Sequence, residues 1–119
     1  MKAFAAATIL MVISLGTNAT EVKSLFFQIN NDEKNCRMIE LGYAAKGNPL
    51  KFPGKWSGRN ECTVHFSSED FNKQFQHCAI SGLENYAGNA VECRVRYSSE
   101  WVEFTQEKDT QCEFACVTK

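Results

Sequence analysis

The 119-residue sequence lacks the short motifs that support most enzymatic chemistry. It contains no Gly-x-Ser-x-Gly nucleophile motif, no His-Glu-x-x-His zinc motif and no glycine-rich phosphate loop. Histidine is scarce: His65 stands between apolar Val64 and Phe66 in a strand pattern that directs its ring to solvent, and His77 lies on the polar flank of a predicted helix. We expect a non-enzymatic protein, although a histidine pair or a histidine with a glutamate would suffice for ribonuclease-type acid–base catalysis.

The sequence also lacks a hydrophobic run long enough to cross a membrane. The apolar segment from Ala3 to Leu15 is shorter than the roughly 20 residues that a spanning helix needs. A basic residue precedes this segment and small residues follow it, which is the pattern of a secretory signal peptide cleaved after Ala19, with Asn18 as the alternative site. We therefore predict a signal peptide over residues 1–19 and one secreted domain over residues 20–119.

No charge of one sign dominates the sequence. Loss of Lys2 with the signal peptide leaves a net charge of about −2 on the remaining chain. Nucleic acids and anionic membranes attract strongly basic surfaces, so we expect neither as the main partner.

Cysteine is abundant, in contrast, and its even number in a short secreted chain predicts three disulfides. Zinc ligation is disfavoured, because no Cys-x-x-Cys pair occurs and only two histidines are present. Six cysteines allow fifteen pairings, which the sequence leaves open. Cys112 and Cys116 would lie roughly 13 Å apart in one strand, too far to pair with each other. The predicted disulfide residues are Cys36, Cys62, Cys78, Cys93, Cys112 and Cys116.

The clearest strand pattern runs from Val91 to Tyr97, where Cys93 and Val95 alternate with charged residues. We predict that it is the central, half-buried strand of the fold. Shorter alternating patterns predict further strands over residues 22–29, 36–43, 62–66, 101–105 and 112–116. Ile39, Leu41 and Tyr43 occupy the alternate apolar positions of the second, for which a helix is the alternative. Turns are predicted over residues 30–33, 98–100 and 107–109.

One helix is predicted after Ser67. This serine is followed by acidic residues, and Phe71, Phe75 and Cys78 share one helical face up to a stop at Gly82. The fold class is therefore mainly β, a disulfide-stapled antiparallel Greek-key sandwich with one short helix over residues 68–78, with α+β as the alternative.

The least regular stretch, residues 46–59, holds both prolines, three glycines, four basic side chains and no acidic one. This composition excludes a regular central element and is typical of long ordered loops that carry binding residues. We predict an aromatic-tipped interaction loop, against the alternative of a surface connection with Trp56 in the core. The candidate interaction residues are Lys46, Lys51, Phe52, Lys55, Trp56 and Arg59.

Two triplets, Trp56-Ser57-Gly58 and Tyr86-Ala87-Gly88, resemble the aromatic-x-Gly corner of βγ-crystallin Greek-key motifs. The resemblance implies a βγ-crystallin-like sandwich. The calcium signature of microbial members, paired Asn/Asp followed by Ser-Ser, is missing from this sequence. We therefore predict no metal and no cofactor.

The whole chain resembles the small cysteine-rich apoplastic effectors of plant-pathogenic fungi, in particular the six-cysteine extracellular protein (Ecp) class of the tomato leaf-mould fungus. The signal pattern, the mature length and the six dispersed cysteines carry this resemblance. It implies a monomer secreted into the plant apoplast that contacts a host extracellular protein. It also implies recognition by a plant cell-surface immune receptor and a hypersensitive response.

Two other functions fit the same architecture. A secreted protease inhibitor would offer a basic residue of segment 46–59, held rigid by Cys36 and Cys62, to a trypsin-like pocket. An antimicrobial or killer-toxin-like protein would share the sandwich but normally needs a cationic surface. An animal salivary or venom component is also compatible with the sequence.

Overall fold

A computed structural model of the protein describes residues 23–32, 35–42, 46–57, 60–85 and 92–119. The predicted signal peptide lies outside these residues. Within them the chain forms nine strands and one helix, which we number in chain order: β1 (Ser24–Asp32), β2 (Asn35–Leu41), β3 (Lys51–Pro53), β4 (Lys55–Trp56), β5 (Glu61–Ser67), α1 (Ser68–Gln74), β6 (Phe75–Asn85), β7 (Cys93–Tyr97), β8 (Trp101–Glu107) and β9 (Thr110–Thr118).

The strands form two antiparallel sheets packed face to face. The five-stranded sheet has the order β3-β2-β1-β9-β6, and the four-stranded sheet has the order β4-β5-β8-β7. Phe27 of β1 and Phe114 of β9 are fully buried on the inner face of the first sheet. Phe104 of the second sheet packs edge-on against Phe114, with 5.1 Å between ring centroids. The predicted mainly β, disulfide-stapled fold with one short helix is confirmed.

The six cysteines form three disulfides, as predicted. Cys36–Cys62 joins β2 to β5, and Cys93–Cys112 joins β9 to β7, so each of these connects the two sheets. Cys78–Cys116 joins the neighbouring strands β6 and β9. Cys112 and Cys116 thus pair with earlier cysteines. Three disulfides are typical of extracellular proteins, and no helix among the described residues is long and apolar enough to cross a membrane.

The strand from Val91 to Tyr97 is not central, contrary to the prediction. Its described part, β7, is an edge strand of the four-stranded sheet, because only β8 pairs with it. Cys93 and Val95 do pack against the core, so the predicted alternation is correct there. The Tyr97 ring is 47% exposed, and its hydroxyl donates to the carbonyl oxygen of Cys78 at 2.7 Å. This bond ties β7 to the open edge of β6.

The predicted helix ends earlier than expected. Its start is correct, since the Ser67 hydroxyl accepts a hydrogen bond from the Asp70 N–H at 3.1 Å. It stops at Gln74, and Phe75 and Cys78 belong to β6 instead. A bulge near Phe75 allows both side chains to point inward from a strand, so helical spacing was misleading. Gly82 lies within β6 and ends no helix.

The alternate apolar positions predicted for β2 do not form its buried face. Cys36, Met38 and Glu40 are buried, whereas Ile39 and Leu41 lie on the outer face. The parity is set by Cys36, which must face β5 to reach Cys62. Tyr43 is outside the described residues.

The predicted turn over residues 30–33 begins too early. Strand β1 continues through Asp32, which pairs with Asn35 of β2. The turns near residues 98–100 and 108–109 lie where predicted. Gly58 and the triplet 86–88 are outside the described residues, so the βγ-crystallin likeness stays a prediction.

Candidate functional site

An open groove lies where the chain passes from β3 to β4, and we call it the Trp56 groove. Its volume is about 620 Å³. The segment that passes from β3 to β4, residues 53–57, forms one wall. Side chains of β5 and β8, the two central strands of the four-stranded sheet, form the floor. The lining residues are Pro53, Gly54, Lys55, Trp56, Ser57, Thr63, His65 and Glu103.

Glycine at position 54 lets the chain cross between the sheets in a tight path. The Gly54 N–H donates to the carbonyl oxygen of Cys36 at 2.8 Å. A Cβ at this position would lie 2.9 Å from Cys36 Sγ and 3.0 Å from a methyl carbon of Val64. The crossing therefore rests directly on the Cys36–Cys62 disulfide, which fixes the start of β4 beside β5.

Glu103 lines the groove and connects it to the charged and aromatic side chains beside it. Its Oε2 atom lies 3.1 Å from Nδ1 of His65, its direct partner across β5 and β8. Its Oε1 atom accepts a hydrogen bond from Arg96 at 2.8 Å. The Arg96 guanidinium lies 5.8 Å from the ring centroid of Trp101, a cation–π distance, and the His65 ring is 6.2 Å from that indole. We call His65, Arg96, Trp101 and Glu103 the Glu103 cluster.

The ionisation of Glu103 follows from this network. Partial burial raises the pKa of its carboxyl group, but hydrogen bonds from His65 and Arg96 and the charge of Arg96 together outweigh burial. The pKa of Glu103 therefore lies below the ordinary value of 4.5. The carboxylate is ionised at neutral pH and holds its two partners in place.

The chemistry of the Glu103 cluster is that of a preorganised contact surface. Each carboxylate oxygen already has a protein partner, so Glu103 positions neighbours, and an indole, a guanidinium and an imidazole are presented together. Trp and Arg are among the residues that contribute most to protein–protein binding energy. A His–Glu pair is also the minimum set for acid–base catalysis, which makes His65 the residue to test for it.

The residues of the predicted interaction loop differ in their exposure to solvent. Lys46, Lys51 and Lys55 are exposed, as expected of contact residues. Phe52 is half-buried and its ring packs 4.9 Å from that of Phe66, so it is not a surface tip, contrary to the prediction. Trp56 packs partly against the core and also lines the groove, which combines the two interpretations of this side chain.

Arg59 lies outside the described residues. The exposed lysines also have a structural explanation. Lys51 and Pro53 lie on β3 and Lys55 on β4, both edge strands of their sheets. Lysine and proline at such edges discourage pairing with other chains. Positive charge alone is therefore weak evidence of a binding site, and the case depends on the groove.

Sequence reasoning missed Arg96, Trp101 and Glu103 as site residues. The strand patterns place His65 and Glu103 on outer faces, so the signal existed within each strand. What was missing is the register between β5 and β8, which sets His65 opposite Glu103.

Comparisons with family models, curated proteins and solved structures found no match for this chain. Among the described residues, no group of three or more His, Cys, Asp or Glu side chains is placed to hold a metal ion.

Proposed function

We propose that this protein is a secreted, non-enzymatic binding protein that contacts another protein through the Trp56 groove and the adjoining Glu103 cluster. The observation that carries the proposal is the Glu103 carboxylate, which fixes His65 and Arg96 beside the half-buried Trp101. Rigid aromatic and arginine side chains lose little conformational freedom on binding, so such a surface supports affinity.

Secretion is part of the proposal. It is supported by the signal-peptide pattern of the N-terminus and by the three disulfides, which would not persist in a reducing cytosol.

More specifically, we propose that the protein is an effector that a plant-pathogenic fungus secretes and that acts in the apoplast. The resemblance in length, signal and cysteine number supports this form. The partner is then a host extracellular protein, and hosts with a matching cell-surface receptor respond with localised cell death. The disulfide frame would protect the protein from apoplastic proteases, because cleavage requires local unfolding.

Infiltration of purified, oxidised mature protein into leaves of diverse plant genotypes tests the proposal. We expect necrosis in some genotypes only, lost when the protein is reduced and alkylated. The double variant Lys55→Glu, Trp101→Ala should lose the response as well, because it removes the exposed cation and the indole of the surface. Equal necrosis with this variant would reject the groove as the contact surface, and silence in every genotype would reject the effector function.

The matched control is Lys23→Glu, which reverses one exposed lysine before β1, in the other sheet. It changes the net charge as Lys55→Glu does but leaves the groove untouched, so the necrosis should persist.

A protease inhibitor is the second candidate, because the Cys36–Cys62 disulfide closes the segment that carries the exposed Lys51 and Lys55. Rigid presentation of a basic residue is what a trypsin-like pocket requires. Micromolar protein should then slow trypsin, and Lys55→Ala or Lys51→Ala should remove the inhibition. Unchanged trypsin activity would eliminate this candidate.

A further inference from the structure

One edge of strand β5, beside the Trp56 groove, is paired with another strand over only part of its length. Strand β4 pairs with it only opposite Cys62 and Thr63, because the chain leaves the four-stranded sheet at Gly54. On its other side β5 pairs with β8 along its whole length, without a break in register. Within the described residues, the part of β5 over residues 64–67 therefore has a neighbouring strand on one side only.

The backbone of His65 faces the open side. Successive residues of an antiparallel strand direct their N–H and C=O groups alternately to the two neighbours. The carbonyl of Glu61 accepts a bond from Ser57 on the β4 side at 2.8 Å, whereas the Ser68 N–H donates to Glu100 on the β8 side at 2.9 Å. His65 is four residues beyond Glu61 and shares its direction. Its N–H and C=O thus point away from β8, to a side where no strand of the described chain pairs with it.

A second cavity extends this open edge toward α1. It has a volume of about 320 Å³ and shares Pro53 and His65 with the Trp56 groove, and its far end is formed by Asp70, Lys73 and Gln74. The two cavities adjoin along β5, where an added strand would lie about 4.8 Å away.

We infer that this edge is a strand-addition site that takes an extended acidic segment of the protein's partner. The inference rests on the proposed function and deepens it, since it names the form in which the partner binds. A peptide is the fitting ligand because His65 offers one backbone donor and one backbone acceptor on the same side. An extended strand satisfies both groups together.

The charges along the two adjoining cavities favour an acidic segment. The two carboxylates that line it are already paired, Asp70 with Lys73 at 3.9 Å and Glu103 with Arg96 at 2.8 Å. Lys55 lines the groove and is exposed, and among the described residues no carboxylate other than these two lines either cavity. Acidic side chains on the added strand would meet this positive charge, which favours association and the correct register.

Amide hydrogen exchange of the oxidised protein, followed residue by residue by NMR, tests whether this edge of β5 is open in the free protein. In the free protein the His65 N–H should exchange at least about tenfold faster than those of Val64 and Phe66, which bond to β8. Exchange at His65 as slow as at Val64 would show that this edge is already closed, and would overturn the inference.

The second step adds a hexapeptide of alternating glutamate and valine at millimolar concentration. We expect exchange at His65 to slow about tenfold while Val64 and Phe66 stay unchanged. Two control peptides should have no effect: one with lysine in place of glutamate, and one with alternate amides N-methylated so that a strand cannot pair. No slowing at His65, or equal slowing with a control peptide, would overturn the inference.

Lys55→Glu is the matching protein variant, with Lys23→Glu as its control. Their exchange in the absence of peptide first verifies that both fold. The glutamate–valine peptide should then protect His65 in Lys23→Glu and not in Lys55→Glu. Equal protection in both variants would reject the acidic preference.

The outcomes separate this inference from the proposed function. A leaf response that depends on Lys55 and Trp101, with a His65 amide that no peptide protects, would keep the binding surface and reject strand addition. Protection of His65 by the acidic peptide, with no leaf response in any genotype, would keep the strand-addition site and reject the effector function.

Discussion

Glu103 holds His65 and Arg96 through the two oxygens of one carboxylate, and through Arg96 it also orients Trp101. A change at this residue therefore alters the shape of the candidate surface as well as its charge. The lowered pKa of Glu103 records the strength of these contacts, because the folded protein favours the ionised carboxylate more than the unfolded chain does.

Glu103→Gln should lower the free energy of unfolding at neutral pH by about 0.2–1 kcal/mol, the range of solvent-screened ion pairs. A folded-state pKa below the unfolded value gives stabilisation that is present above the unfolded pKa and is lost as the pH falls through the folded pKa. Urea unfolding should therefore separate wild type from Glu103→Gln at neutral pH, and the difference should shrink below the lowered pKa. A difference that does not change with pH would contradict the role assigned to this carboxylate.

Gly54→Ala should destabilise the protein by about 1–3 kcal/mol, because the added methyl group would overpack the crossing. It would meet Cys36 Sγ at 2.9 Å and the Thr63 carbonyl oxygen at 3.0 Å. Gly82→Ala is the matched control, since its Cβ would meet only Glu113 Cβ, at an ordinary 3.7 Å. Thermal unfolding of both variants makes the comparison, and equal losses would show that the contact at Gly54 does not matter.

Among the secondary structure elements, those with local signals were predictable from the sequence. Short apolar patterns between turn residues identified β5, β8 and β9, and a serine followed by acidic residues identified the start of α1. The end of α1 was not predictable, because Phe71, Phe75 and Cys78 fit helical spacing as well as a turn of helix followed by a bulged strand. Pairing of Cys78 with Cys116 on β9 decides between the two, and this contact joins distant parts of the sequence.

Prediction of the candidate site from the sequence was limited in the same way. The pattern of β5 correctly directed His65 to solvent, but the pairing of β5 with β8 brings His65 and Glu103 together. The open edge of β5 was equally hidden, because it follows from where β4 begins. Register between strands distant in sequence depends on the whole core, and a single sequence does not contain it in readable form.

Ser67→Ala tests the start of α1. It removes the hydroxyl that accepts the Asp70 N–H bond, and should cost about 1 kcal/mol in the free energy of unfolding. Ser68→Ala is the control, because it removes the neighbouring hydroxyl and leaves the cap in place. Denaturant unfolding should rank the two variants in this order, and the reverse order would contradict the assigned cap.

At the scale of the whole molecule, two of the three disulfides hold the sheets together and the third joins the edge strand β6 to β9. Each typically contributes about 2–4 kcal/mol, and a domain of this size nets only about 5–15 kcal/mol of stability. The frame that positions the Trp56 groove therefore depends on oxidation.

Reduction of all three disulfides at neutral pH, followed by alkylation, should unfold the protein. Near-ultraviolet circular dichroism should lose its fine structure, and the cooperative thermal transition should disappear. A sample treated with the alkylating agent alone should keep both signals, since no cysteine of the described chain is free. A reduced protein that still melts cooperatively would contradict this dependence.

Site-resolved photo-crosslinking shows whether the protein binds its partner through the Trp56 groove. A benzoylphenylalanine in place of Lys55 lies at the Trp56 groove, and one in place of Lys23 lies on the other sheet. Both proteins are illuminated in apoplastic fluid of a responsive plant, with excess unlabelled wild type as competitor. We expect one discrete adduct from position 55, which excess wild type competes away, and none from position 23. The same adduct from both positions, or an adduct from position 23 alone, would contradict the claim that the protein binds through this groove.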